Sequence, residues 1–107
     1  MADAQRPAET PITLAFVGYA GIDHAGAARA YEDRVLPLLA DHGGEVRFRG
    51  HRAEGQPGGL PVEVHVLWFP GPSALDAYLA DPRRIAALAD AGDVFTSKQV
   101  VEVVDLT

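Results

Sequence analysis

Glu45–Arg52 reads EVRFRGHR and Val62–Phe69 reads VEVHVLWF, joined by the segment AEGQPGGLP at Ala53–Pro61. Both octets alternate. In the first, Val46 and Phe48 fall on one side, with Glu45, Arg47, Arg49 and His51 on the other. In the second, Val62, Val64, Val66 and Trp68 oppose Glu63, His65, Leu67 and Phe69. A period of two is the period of a β-strand, and the glycines and prolines between the octets are turn formers. The segment is therefore predicted to be a β-hairpin. Placing Arg49 opposite His65 sets Phe48 opposite Val66 and Val46 opposite Trp68, an apolar face expected to lie against helices. The reverse face then gathers His51 opposite Glu63 and Arg47 opposite Leu67, with Arg49, His65 and Phe69 alongside. A slip of one residue would mix charged and apolar groups on both faces, so this parity is favoured.

Working outward, Ile12–Ala20 (ITLAFVGYA) is continuously apolar and predicts a strand buried on both faces, central in its sheet. Gly18 within it leaves room for a neighbouring group. Asp23 is a plausible cap for a helix over 27–41, where Tyr31, Val35, Leu38 and Leu39 recur at helical spacing and Arg29, Glu32 and Asp33 lie mostly off that stripe. Pro37 should kink this helix, and Gly43-Gly44 should stop it. After the hairpin, Pro70-Gly71-Pro72 breaks the chain. Ser73 with Asp76 resembles a capping box for a second helix carrying Leu75, Tyr78 and Leu79. Asp81-Pro82 interrupts it and restarts a short helix with Ile85 and Leu88. Lys98–Leu106 (KQVVEVVDL) predicts the last strand.

The order is βαββαβ, which specifies an α+β, ferredoxin-like domain over residues 12–107: a four-stranded antiparallel sheet with both helices on one face. Residues 1–11 read as a flexible N-terminal arm. Two helices cover only one side of such a sheet, yet the first and last strands are apolar on both. A homodimer that buries the second face is the economical expectation.

Composition narrows the function. Fifteen acidic against nine basic residues give a net charge of −6, which argues against a nucleic-acid partner. The third strand also lacks the paired aromatics of an RNA-binding sheet. The chain has no cysteine, so thiolate nucleophiles and thiolate metal sites are excluded. Without a signal peptide or an apolar run near the ~20 residues of a bilayer span, a cytoplasmic protein with no membrane partner is expected. Gly55, Gly58 and Gly59 precede neither a lysine nor a helix start, so they make no phosphate loop.

The chemistry concentrates on the hairpin. Arg47, Arg49, His51, Glu63 and His65 form one polar patch, placed on the face a partner subunit would cover. One account is a salt-bridged sheet edge that deters aggregation. Another is acid–base catalysis: His65 or His51 as base, Glu63 as its orienter, and Arg49, with Arg47, holding an anion. A two-histidine, one-carboxylate metal triad of His51, His65 and Glu63 is disfavoured, because Arg49 beside His65 repels a cation. No metal and no cofactor are expected. Tyr19 and His24 lie where a cavity mouth would form, and Tyr19 and Phe69 are counted with the substrate-binding residues.

Several joins resemble the dimeric α+β barrel superfamily and, within it, a bacterial family of small domains of unknown function. They are Tyr31–Arg34 running to Pro37-Leu38-Leu39, His42-Gly43-Gly44, Arg49-Gly50, Phe69-Pro70, Ala74–Tyr78 and Asp81-Pro82. That superfamily includes cofactor-independent antibiotic-biosynthesis monooxygenases, polyketide cyclases, lactone isomerases and haem-binding degraders. No motif supports His24, His51 or His65 as a haem ligand. The resemblance implies a cavity and a small aromatic or polyketide-like ligand, and the long loop at 53–61 is a candidate lid. Two functions are expected: a cofactor-free cyclase, isomerase or monooxygenase of bacterial secondary metabolism, or a non-catalytic ligand-binding or accessory dimerisation domain.

Overall fold

The apolar first strand and the alternating hairpin form β1 (Ile12–Tyr19), β2 (Glu45–His51) and β3 (Glu63–Phe69), and β4 is Ser97–Val103. This computed structural model describes residues 9–107; the first eight residues of the expected arm lie outside them. The sheet order is β2-β3-β1-β4, every pairing antiparallel, with β1 central as its apolarity requires. This is the predicted ferredoxin-like topology.

Helix α1 spans Ala25–Val35 and passes directly into a 3₁₀ helix at Leu36–His42. The expected kink at Pro37 takes this form. Pro37 stands in the first turn of the 3₁₀ segment, where a missing N–H removes no bond within that segment. Gly43 ends it at φ 77°, a left-handed conformation that costs glycine no Cβ clash. Asp23 does not cap α1; it lies in a short 3₁₀ turn, Ile22–His24, and His24 occupies the cap position without a side-chain bond.

Helix α2 (Pro72–Leu79) begins one residue before the predicted capping serine. Ser73 instead meets Glu9, which accepts from both its backbone N–H and its hydroxyl. Helix α3 (Pro82–Ala91) starts as expected, with Asp81 accepting from the Arg83 N–H at 2.9 Å. Its buried side is not Ile85 and Leu88, which are exposed, but Ala87 and its neighbours one turn away.

The parity of the sheet holds, but its polarity is reversed. Leu67 and Phe69 pack with Leu36, Leu39 and Tyr78, so the helices cover the face that carries Glu63 and His65. The valine face is the open one: Phe48 is 54% exposed, and Val64 and Val101 are also exposed. Val62 does not share it. It sits just before β3, fully buried against Ala28, Tyr31 and Val35.

Strand β1 decides this orientation. Ile12, Leu14 and Phe16 alternate with the smaller Thr13, Ala15 and Val17. The larger set has more apolar surface to remove from water. Antiparallel register then carries the choice to β3, because Phe16 pairs with His65, Leu14 with Leu67 and Ile12 with Phe69.

Candidate functional site

Strand β3 delivers Glu63 and His65 beneath α1, and β2 delivers Arg49 and His51 beside them. The predicted pairs Arg49–His65, His51–Glu63 and Phe48–Val66 are all present. Beyond Phe48 the register shifts by one residue, so Val46 meets Leu67, Glu45 meets Trp68 and Arg47 is the extra residue of a β-bulge. Arg47 therefore leaves the patch. Its guanidinium lies 5.1 Å from the Trp68 ring centre on the open face and pairs with Glu45 at 3.2 Å.

Glu63 is the hub. Its Oε1 accepts from His65 Nε2 at 2.8 Å and from Arg49 Nε at 3.0 Å, and its Oε2 accepts from His51 Nδ1 at 2.5 Å. The side chain has no solvent exposure. Burial alone would raise its pKa, but the hydrogen bonds from His65, His51 and Arg49 outweigh that and lower it to about 2. Glu63 is thus a fixed anion that only accepts. Nε2 of His65 and Nδ1 of His51 must carry hydrogens.

Those assignments leave Nδ1 of His65 as its free position, and it faces Glu32 Oε2 at 3.6 Å. The imidazole is 1% exposed and stacks on Phe16, with ring centres 4.9 Å apart and planes at 14°. Glu32 is only 6% exposed. Its pKa is raised, first by burial and also by the Glu63 charge, against the pull of His65. The stripe of Tyr31, Val35, Leu38 and Leu39 leaves this residue to one side. The signal was present: Glu32 stands four residues after Ala28 and three before Val35, and both are buried.

Arg49 is fully engaged. Besides Glu63 it donates to Asp33 Oδ1 at 2.6 Å and to the Arg29 carbonyl at 3.2 Å, tying β2 to α1. It is a clamp between strand and helix, with little capacity left for a ligand. Its guanidinium also occupies the Glu63 carboxylate that a metal triad would need. Among the described residues no cluster of three or more histidine and acidic side chains has metal-binding geometry.

Beside this network is a cavity of about 240 Å3 between α1, α3 and the β4 side of the sheet. Phe16, Phe95, Leu88 and Val94 supply apolar wall, and Tyr31, Glu32 and Arg84 supply polar wall. Gly18 makes room for the Phe95 wall: a Cβ there would stand 2.6 Å from the Phe95 ring. Glu32 is the link, lining the cavity on one side and facing His65 on the other. His65, Glu63, His51 and Arg49 are behind it and do not line the cavity. Nor do the remaining predicted residues. Phe69 is buried in the second core cluster. Tyr19, at odd parity with Val17 in β1, belongs to the open face, and His24 is exposed at the start of α1.

No protein-family model matches the sequence, and no curated protein does. Solved structures do resemble it. A protein of unknown function from Rhodopseudomonas palustris is 20% identical, with a TM-score of 0.68 over 98% of this chain and 88% of that one. A dimeric protein of unknown function and ferredoxin-like fold from Bacteroides fragilis is 12% identical, TM-score 0.64, over 91% and 98%. SnoaB, a cofactor-independent oxygenase from Streptomyces nogalater, is 13% identical, TM-score 0.58, over 94% and 96%. At these identities the likeness establishes the ferredoxin-like fold, and the expected superfamily resemblance is met at that level.

Proposed function

We propose that the chain is a homodimeric, cofactor-independent tailoring enzyme that takes a proton from a small aromatic or polyketide-like molecule. The observation that carries this is the position of Glu32, at once a wall of the cavity and the carboxylate facing His65 Nδ1. Glu32, pushed toward neutrality by burial, accepts the proton from an acidic C–H or O–H of the substrate. It can pass that proton to Nδ1 of His65, whose Nε2–H is already fixed on the Glu63 anion. The resulting imidazolium is stabilised between two carboxylates. Return of the proton at another atom completes an isomerisation, and capture of the carbanion by an internal carbonyl or by oxygen gives cyclisation or oxygenation. His65 and Glu63 then act as positioning groups.

Cavity size refines the substrate. About 240 Å3 is below the ~300–1,000 Å3 usual for pockets of drug-sized ligands. A one- or two-ring compound fits this volume better than a multi-ring polyketide. Homodimerisation is supported by the open apolar face of the sheet, and by the dimeric Bacteroides fragilis protein that shares the fold.

Glu32→Gln tests the chemistry. In heavy water, α-deuteration of 2-tetralone followed by NMR should slow by about 10²–10⁴-fold in the variant. An unchanged rate removes Glu32 as the base. A second function, ligand binding without chemistry, is favoured by the complete pairing of Glu63 and Arg49, which a purely structural network would also show. Binding of 2-tetralone by the native protein with no acceleration of exchange would establish it.

A further inference from the structure

The adjacent arginines at the start of α3 meet opposite fates. Arg83 turns to the surface and is saturated: it donates to both oxygens of Asp81, at 3.1 and 2.7 Å, and pairs with Asp41 at 2.9 Å. Arg84 turns inward and lines the cavity. Its Nε is buried and has no hydrogen-bond partner among the described residues. A buried donor on a permanent cation is costly unless an anion or acceptor meets it.

Among the described residues no carboxylate is bonded to Arg84; Glu32 attracts it only across the cavity. Its guanidinium carbon lies 5.2 Å from the Tyr78 ring centre, a cation–π contact that orients the planar fork without neutralising it. Burial pushes the Tyr78 phenol up to about 12 despite Arg84, and raises Tyr31 as well, so both stay neutral. Glu32, the buried carboxylate across the cavity, faces His65. Phe16 and Phe95 meet edge to face nearby, with ring centres 5.5 Å apart, and give the space an aromatic wall.

We infer that the cavity binds a small aromatic carboxylate, with Arg84 as the group that holds its acid end. The planar guanidinium matches a carboxylate in two parallel hydrogen bonds, a geometry an ammonium or an amide cannot reproduce. The ring of the ligand then lies among Phe16, Phe95 and Leu88, with its reactive position toward Glu32. This rests on the proposed function only in sharing the cavity; it narrows the substrate class from aromatic compounds to aromatic acids.

Benzoate and its uncharged isostere benzamide test the inference on the intact protein. Titrations followed by NMR should show benzoate binding about tenfold to a hundredfold tighter than benzamide, with Phe16 and Phe95 perturbed by both. Arg84→Gln should abolish that preference, while Arg83→Gln on the surface retains it. If Arg84→Gln fails to fold, the Arg84 Nε–H resonance of the native protein decides: it should move with benzoate and not with benzamide. Equal affinities, no binding of either compound at millimolar concentration, a preference that survives Arg84→Gln, or an unmoved Nε–H would each overturn the inference. Since 2-tetralone carries no carboxylate, its Glu32-dependent exchange is read separately. Loss of the benzoate preference with exchange intact overturns this inference alone, and the converse overturns the proposed chemistry alone.

Discussion

Along β3, Glu63 and His65 are almost inaccessible beneath the helices, while their neighbours Val64, Val66 and Trp68 point to the face their own chain leaves uncovered. The covered face is stabilised by pairing. Glu63 accepts three hydrogen bonds, and Arg49 reaches two carboxylates and a helix carbonyl. The open face is apolar apart from the exposed Arg47–Glu45 pair, the kind of patch that another surface commonly covers. The contrast teaches that charge on one side of a strand does not mark the solvated side. A charged row can be buried if each member has its counterpart, and an apolar row can stay open if a second copy covers it.

The largest effect expected from breaking this contrast is on the covered face. Glu63→Gln removes the anion that His65, His51 and Arg49 share, and should cost about 3–5 kcal/mol in urea unfolding. The same change at exposed Glu45 should cost under about 0.5 kcal/mol. If the two variants unfold alike, the network has no structural weight.

Acid should reproduce much of that loss. The folded-state pKa of Glu63 is depressed from 4.5 to about 2, so its stabilisation is complete above 4.5 and is lost as pH falls through 2. The shift corresponds to about 3 kcal/mol. Glu32 acts with the opposite sign: its raised pKa means that stability falls as pH rises above its ordinary value. Urea midpoints from pH 2 to 8 should trace both limbs, and Glu63→Gln should flatten the acid one.

On the open face, Val66→Asp should shift the protein from dimer to monomer in light scattering, weakening association by about 2 kcal/mol or more. The monomer should keep its circular dichroism spectrum, because Val66 supports neither core cluster. Retention of the dimer would place the interface elsewhere. The smallest effect is expected at the bulge. Arg47→Ala removes an exposed contact with Trp68 and should cost about 0.5–1 kcal/mol, without altering exchange of 2-tetralone.

Much of this was legible in the residues. The alternation of the hairpin gives the strands and three of its cross-strand pairs. Pro37, Gly43 and the Asp81-Pro82 step mark where helices change or end, because each acts through its own backbone. The bulge at Arg47 was not legible, since an extra residue on one strand leaves the alternation of each octet intact. Arg84 was not legible either, because Ile85 and Leu88 suggest another face for α3, whereas Ala87 and Ala91 are the residues that pack against the core.

The sequence by itself determined the βαββαβ order, the antiparallel sheet and the grouping of Arg49, His51, Glu63 and His65, all of which follow from local periodicity and backbone constraint. Only the tertiary structure decided which side of the sheet the helices cover, because periodicity distinguishes two faces without saying which is inside. That choice was made by bulk on β1, carried to β3 through hydrogen-bond register, and made tolerable by counter-charges on α1. It also brought Glu32 and Arg84 to one cavity from helices fifty residues apart in the chain.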